Sequence, residues 1–510
     1  MGKWREVALL CSLAVGCGGA AAEEGAIQED ERPQVSSPAE GADDSLTAQW
    51  SLVEPGTARL VKDIFPPVAS DLPPWYETSP SSLVEFRGKL FFAANFEDGR
   101  RELWRSDGTE AGTVRVKSFP PLPGSFFASS LTELTPVGTQ LFFVVDDALH
   151  GQEVWVSEGT TASTRLVKDI GPGVTGASPY NLKAVGGRLL FFRYVLETAT
   201  LPAHQELWRS DGTEAGTVLV KNLGPDSSLI FSQAIVGNTL YFVLSDPDHG
   251  TELWKSDGTG AGTGLVKDIL PGADSSYPFN LRAVGSRVFF TATDAEHGNE
   301  VWRTDGTEAG TTLVADLKPG PESSNPQLLE PTGSCLYLAL SEPDRTVGLY
   351  KLKDGTERVQ VRRIATLPNP YDDEEAYGYI TNSAIAGGKL YVVLALYGMG
   401  PAPRDTQLWV SDATSAGTKL LHHPLSLSDE FGSTLYSVGD RVVFSGYEAN
   451  TGLEPWVSDG TEAGTRLLQD IASPGHSYPS GFTRVGSSKL FFVATDAAHG
   501  NELWMVPLAR

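Results

Sequence analysis

Gly298-Asn299-Glu300-Val301-Trp302-Arg303-Thr304-Asp305-Gly306-Thr307-Glu308-Ala309-Gly310-Thr311 is one copy of a pattern that this chain writes repeatedly. Its parts recur in fixed order: a small turn, Glu-Leu-Trp, Ser-Asp-Gly-Thr-x-Ala-Gly-Thr, then Leu-Val-Lys-Asp-Ile. The aromatic position falls at Trp104, Trp155, Trp208, Trp254, Trp302, Tyr350, Trp409, Trp456 and Trp504, nine copies at spacings of roughly 48 residues. An apolar run precedes each, as in Leu90-Phe91-Phe92, Val288-Phe289-Phe290 and Leu490-Phe491-Phe492.

One unit reads as four short strands. In the fifth, residues 279–284, 287–293, 299–304 and 311–317 are β-branched, aromatic or alternating runs, separated by Gly, Asp and Ser clusters. Four antiparallel strands with apolar residues on both faces suit a sheet packed between two neighbours, which is a propeller blade. The expected fold is all-β: a β-propeller of about nine four-stranded units. The array opens at residues 54–64 with a lone fourth strand (Arg59-Leu60-Val61-Lys62-Asp63-Ile64) and ends at Trp504 on a third strand that no fourth follows. The N-terminal strand therefore joins the C-terminal unit and closes the ring, removing two sheet edges. Gln49-Trp50-Ser51 also reads as a shortened third strand of its own.

Glu102-Leu103-Trp104-Arg105-Ser106-Asp107-Gly108-Thr109 and its counterparts beginning at Glu206 and Glu252 resemble the ELWxxDGT repeat family of bacterial secreted proteins and lipoproteins. The resemblance covers residues 54–504. Unit six departs most, with Gly348-Leu349-Tyr350 and no Ala-Gly-Thr; unit seven carries Asp412-Ala413-Thr414. The family is defined by its repeats, so the resemblance implies a fold and an address rather than a reaction.

The N-terminus supplies an address of its own. Lys3 and Arg5 precede a short apolar run ending Ala14-Val15-Gly16-Cys17, a signal-peptide pattern that is too short to span a bilayer and resembles a lipobox. Residues 1–16 read as a lipoprotein signal peptide and Cys17 as the lipidated residue. Ala14 stands where the lipobox pattern favours Leu, and ordinary secretory cleavage near Ala20-Ala21-Ala22 is the alternative. Residues 17–53 are rich in Glu, Asp, Ser, Pro and Ala, and read as an acidic disordered tether. Gly18 resembles outer-membrane sorting, which places the head at the cell envelope. Of three cysteines, Cys335 alone lies beyond the targeting segment, in an apolar run that predicts a buried thiol. The formal charge of -25 argues against a nucleic-acid partner, which requires a concentrated basic face.

Candidate chemistry is sparse. No nucleophile elbow, zinc-protease helix, phosphate loop or dinucleotide fingerprint is present. Asp-Gly-Thr reads as a hairpin turn. Asp147/His150, Asp246/His249, Asp294/His297 and Asp496/His499 read as turns closed by a His–Asp hydrogen bond, with metal binding as the alternative. The repeated Glu is expected to pair with the Lys of Leu-Val-Lys across neighbouring strands. No cofactor is expected, though Asp268, Asp274 and their kin offer oxygen ligands that suit calcium.

Interruptions of the repeat are more telling. Insertions at 65–81, 117–130, 193–205, 366–381 and 397–406 all fall in connections on one face of a propeller. They carry Trp75, Tyr76, Phe126, Phe127, His204, Tyr371, Asp372, Asp373, Glu374, Glu375 and Tyr377, the candidate binding face. Aromatics beside carboxylates suit a protein or polysaccharide ligand. The expected function is a lipid-anchored binding or scaffold module without catalytic activity. The alternatives are a glycan-directed hydrolase or lyase using Asp372, Asp373, Glu374 and Glu375 as acid and base, and a purely structural envelope protein.

Overall fold

A computed structural model of the chain describes residues 51–52, 58–65, 79–96, 99–120, 131–354, 359–373, 375–398, 403–423, 425 and 434–509. The signal segment, Cys17, nearly all of the tether, and Trp75, Tyr76, Phe126, Phe127 and Glu374 lie outside these residues.

The described chain is all strand and turn, arranged as a nine-bladed β-propeller of antiparallel sheets. Blade 1 runs from strand Pro80–Phe86 to Val114–Phe119, blade 2 from Thr132–Val137 to Arg165–Leu166, and blade 3 from Tyr180–Val185 to Val218–Pro225. Blade 4 spans Ser228–Val236 to Gly264–Lys267, blade 5 Phe279–Val284 to Thr312–Ala315, and blade 6 Gln327–Thr332 to Gln360–Leu367. Blades 7 and 8 begin at Tyr377–Ala386 and Tyr436–Val438. Blade 9 comprises Ser480–Val485, Lys489–Asp496 and Gly500–Ala509, with Arg59–Lys62 as its outer strand.

Closure follows the expected register. Leu60 stands opposite Trp504 and Lys62 opposite Leu503. Ser51–Leu52 is not a third strand of another unit; it covers the remaining outer edge of the last strand, with Leu52 opposite Leu508. That strand runs on to Ala509, and the N-terminal segment pairs along its outer edge.

In every blade the second strand is buried on both faces, as in Arg287–Asp294, and this explains the repeated apolar triplet. Successive residues of the triplet face opposite neighbours: Leu190 and Phe192 pack with Leu240 and Phe242 of blade 4, whereas Phe191 packs with Phe142 and Val144 of blade 2. The nine apolar clusters among the described residues each fill one seam between adjacent blades. The closing seam joins Val61, Ile64, Phe65, Phe491 and Leu503 to Leu90 and Phe92.

The Asp-Gly-Thr loop is a hairpin turn, and it also latches the seams. Asp305 Oδ1 accepts hydrogen bonds from the Thr307 N–H and hydroxyl, Thr307 Oγ1 accepts the Gly310 N–H, and the Thr304 and Thr311 hydroxyls pair in the interior. Gly306 has φ +90°, a conformation that Ala413 takes at the same position of blade 7 at +68°, and a Cβ at Gly310 would stand 2.1 Å from Asp305 Oδ1, which favours glycine at both positions. The loop's outward carbonyls receive cations from the preceding blade: Lys255 Nζ donates to Gly306 O at 2.6 Å and Lys267 Nζ to Thr311 O at 3.0 Å. Arg59 and Lys62 grip blade 1 in the same way, and Arg165 and Lys168 grip blade 3. The lysine of Leu-Val-Lys therefore reaches across a seam, not to the glutamate of its own blade as expected. Unit six keeps its four strands despite its divergence. There Asp354 accepts Arg287 and Arg303 of blade 5, and Glu342 stands in for the missing motif glutamate by binding Tyr350 and Arg363. Cys335 opens its strand and is half-buried, not fully buried.

Replacing Lys267 by Met keeps the stem and removes the charged donor to Thr311 O. The expected cost is about 1–2 kcal/mol in chemical denaturation, with an unchanged fold by circular dichroism. Deleting residues 54–64 uncovers the Trp504 edge and empties the closing seam; cooperative melting should be lost and aggregation should appear in size-exclusion chromatography.

Candidate ligand-binding site

The site is built by the connections between the second and third strands and between consecutive blades, which emerge on one face. In blades 2, 4, 5 and 8 the outermost strand is only two to four residues long. The chain then leaves the sheet and folds back towards the ring centre, and its backbone N–H groups need acceptors. The motif glutamate supplies them. Glu252 accepts the Leu270 and Ser276 N–H groups and the Ser276 hydroxyl at 2.7 Å; Glu300 does the same for Leu317 and Ser324. Glu454 holds Ile471, Ala472 and the Ser477 hydroxyl, and Glu502 holds Ile64 and Phe65. All four are fully buried. In blades 1 and 3 the outer strand continues further alongside the third strand, and Glu102 and Glu206 bind the Trp104 and Trp208 indoles.

Each serine held by a motif glutamate precedes an X-Pro step at the inner rim: Ser276-Tyr277-Pro278, Ser324-Asn325-Pro326 and Ser477-Tyr478-Pro479. The X residue is left-handed in each, with φ of 48° at Tyr277, 49° at Asn325 and 46° at Tyr478; Ser178 before Pro179 repeats it at 48°. A residue before proline is ordinarily pushed to extended backbone. Asparagine tolerates the left-handed region, but a tyrosine there carries strain on the order of 1–3 kcal/mol. The turn forms with Ser178 or Asn325, so it does not require tyrosine.

Between blades 4 and 7 these connections enclose a cavity of about 410 Å³, lined by Ile230, Thr251, Tyr277, Pro278, Phe279, Asn280, Thr291, Asn299, Asn325, Pro326, Gln327 and Tyr379. Tyr277 is 64% exposed and Phe279 57%; Tyr377, Tyr379 and the 77%-exposed Phe231 continue the aromatic surface. The amides are fixed from the next blade. Asn280 donates Nδ2–H to Leu328 O at 2.8 Å, and the Gln327 amide both accepts the Ile380 N–H and donates to Ile380 O. No carboxylate, lysine, arginine or histidine lines the cavity.

The residues singled out from sequence divide unevenly. Tyr377 lies on the inner strand beside the cavity and stacks on Tyr397, ring centroids 5.0 Å apart at 8°. Tyr371 lies under the Arg404 guanidinium, and the same guanidinium pairs with Asp373, so insertions 366–381 and 397–406 are tied to each other. Asp372 and Glu375 are exposed. His204 does not present to a ligand: it is buried at the start of its strand, with Nδ1 3.0 Å from Pro202 O and Nε2 3.7 Å from Glu206. Tyr379 lies inside insertion 366–381 but was not singled out there; Tyr277 and Tyr478 were missed because they lie where the repeat is obeyed. Their signal was an aromatic at a position where sister units carry Ser or Asn.

Other candidates resolve into turns. Asp294 Oδ1 accepts the Glu296 and His297 N–H groups, and the His297 ring lies 2.9 Å from its other oxygen; Asp147, Asp246 and Asp496 repeat this with their histidines. Asp268 accepts the Gly272 N–H. Among the described residues no group of three or more His, Cys, Asp or Glu side chains comes together as a metal would require.

Burial raises the motif carboxyls against the N–H bonds that oppose it: Glu153 to about 7 and Glu502 to about 8, with Glu252 and Glu454 also raised. The second oxygens of Glu153 and Glu502 are buried without a partner, which leaves room for a proton. Carboxyls raised on folding contribute stability that is complete below the free-glutamate value and lost as pH rises through the folded value. Hydrogen bonding to aspartate raises His150, His297 and His499, and these act in the same sense.

No family model and no curated protein matches the chain. Among solved structures it is similar to prolyl oligopeptidase B from Galerina marginata, 13% identical over 77% of this chain and 51% of that one, with a TM-score of 0.40. It is also similar to acylaminoacyl peptidase from Pyrococcus horikoshii (13% identical, 75% and 57% covered, TM-score 0.33) and to an uncharacterised protein of Listeria monocytogenes EGD-e (11% identical, 77% and 94% covered, TM-score 0.37). The chain spans about half the length of the peptidases, and at these scores the likeness transfers no activity.

The melting temperature is expected to fall as pH rises from the free-glutamate value of 4.5 and to level off above about 8. Glu502→Gln keeps an acceptor for Ile64 and Phe65 without the charge and should flatten that decline. Scanning calorimetry across pH checks both; an equally steep decline in the variant would remove Glu502 from the account.

Proposed function

We propose that this chain is an extracytoplasmic binding or scaffold module of the ELWxxDGT repeat family, held at the outer membrane by a lipid on Cys17 and presented by the tether of residues 17–53. Its ligand is a protein or a polysaccharide. The observation that carries the reading is the group of exposed aromatic rings, Tyr277, Phe279 and Tyr379, that line one cavity at the inner rim, with exposed Phe231 and Tyr377 on the strands that border it. A soluble surface rarely leaves so many large rings grouped together without a partner. They are mounted on a scaffold whose seams and latches fix the rim, which suits binding without rearrangement.

The hydrolase or lyase alternative draws on the carboxylates at 372–375. Asp373 is committed to Arg404, and Asp372 and Glu375 stand exposed, so this is the weaker reading. A purely structural role leaves the strained, exposed Tyr277 without a reason.

Two measurements test the proposal. Cys17→Ser should move the protein from the membrane to the soluble fraction; unchanged fractionation removes the anchor. The soluble full chain, immobilised, should retain a component from the polysaccharide or the protein fraction of a cell-envelope extract. Tyr277→Ala should weaken that retention about tenfold, in line with loss of one aromatic anchor. Retention of neither fraction would end the binding reading.

A further inference from the structure

Given that the chain is a binding module, the rim cavity also specifies the kind of ligand. We infer that it is a subsite for an uncharged polysaccharide. Its lining offers aromatic faces and amides and no formal charge. An anionic polymer would meet a molecule of net charge -25 with no basic side chain at the site. A cationic segment would find no carboxylate there to replace its hydration. A neutral sugar unit fits both halves of the lining: its C–H face covers an aromatic ring, and its hydroxyls both donate and accept.

The amides answer those hydroxyls. Asn280 spends one N–H on Leu328 O and keeps its carbonyl oxygen, and the Asn325 side chain makes no hydrogen bond among the described residues. An Asn amide supplies donors and an acceptor together, as a hydroxyl requires. Tyr277 and Tyr379 add phenols at the two sides of the cavity. With the Asn280 N–H and the Gln327 amide tied to the neighbouring blades, part of the hydrogen-bonding array is set before a ligand arrives.

The backbone at Tyr277 supports the same conclusion. Asn325 occupies the identical step of the next blade and forms the turn in a conformation that asparagine accepts. A tyrosine in that place is explained by its ring and not by the turn. Tyr478 repeats the arrangement in blade 9, where His476 lies 5.3 Å from its ring and Tyr447 backs His476. Two such platforms on one face suit a ligand that repeats along its length.

The test uses the full chain with Cys17→Ser, so that it is soluble. Affinity electrophoresis and calorimetry would compare several neutral polymers (α-glucan, β-glucan, mannan, galactan) with an acidic polymer, alginate, and a proline-rich peptide. At least one neutral polymer should bind, with little change in affinity between low and high salt. Tyr277→Asn should weaken that binding about tenfold while its melting temperature stays the same or rises, because the turn is relieved. Phe279→Ala should weaken binding similarly, with the fold checked by circular dichroism. The inference is overturned if no neutral polymer binds, or if binding is retained in both variants. A melting temperature lowered by Tyr277→Asn would also overturn it, because the ring would then be structural. Peptide or alginate binding that these variants abolish would overturn the polysaccharide assignment while leaving the binding-module reading intact.

Discussion

A carboxylate with no exposure to water sits near the start of the third strand in most blades, and its hydrogen bonds determine where the ring places its rim. Burying such a group is costly unless its oxygens are satisfied. Glu252, Glu300 and Glu454 satisfy theirs with the backbone of the chain returning from the outer strand, and in doing so fix the serine beside each X-Pro step. The same atoms that make the glutamate tolerable in the interior therefore orient Tyr277, Asn325 and Tyr478. Where the outer strand is long, as in blades 1 and 3, the carboxylate accepts the indole N–H of the same strand.

A second constraint acts on the opposite face. Nine blades make a wide ring, and an apolar seam alone is non-directional. Cation-to-carbonyl bonds from one blade into the next blade's Asp-Gly-Thr loop add direction and register at the seam's edge. They have a sequence cost that is visible along the chain: a hydroxyl-bearing Thr and, in blades 1, 3, 4, 5 and 8, two glycines in the loop, and a basic residue in the preceding blade. Blade 6 lacks the loop pattern, and its seam with blade 5 is held instead by Asp354 between Arg287 and Arg303. The interaction has been replaced by one of the same charge logic with its polarity kept: cations from the earlier blade, oxygens from the later.

The architecture was legible because it depends on short-range features that repeat. The Leu-Phe-Phe triplets and the third-strand motif point to four-stranded units and about nine of them, and the mismatched ends point to closure; the structure has nine blades and a closed ring. The fifth unit's strands fall where expected, except that its outer strand ends at Ala315 because the chain turns away to be capped by Glu300. Partners across a seam were not legible. Lys267 and Thr311 are 44 residues apart, and nothing local distinguishes a lysine that crosses a seam from one that pairs within its blade. His204 was misplaced for a similar reason: an insertion predicts exposure, but this histidine starts a strand, and its ring is tucked against Pro202 and Glu206.

The site itself was half legible, and the reason bears on how repeat proteins acquire binding surfaces. Insertions were expected to carry recognition because they break the pattern, and Tyr377 does lie beside the cavity. Yet most of the lining comes from ordinary repeat positions: strand residues such as Thr251, Phe279, Asn280, Asn299 and Gln327, and the short turns at Tyr277 and Asn325, where a structural turn tolerates one variable residue. The turn at Ser178, Asn325, Tyr277 and Tyr478 keeps its backbone whichever side chain it carries, because the preceding serine or backbone contact holds it. Such a position can change without unfolding its blade, at the cost of local strain when the residue is aromatic. Among the described residues the ring offers four of these positions, at Ser178, Tyr277, Asn325 and Tyr478. Specificity can therefore be altered by substitution within the repeat as readily as by insertion into it, and the aromatic substitutions at Tyr277 and Tyr478 are where this chain departs from the structural minimum.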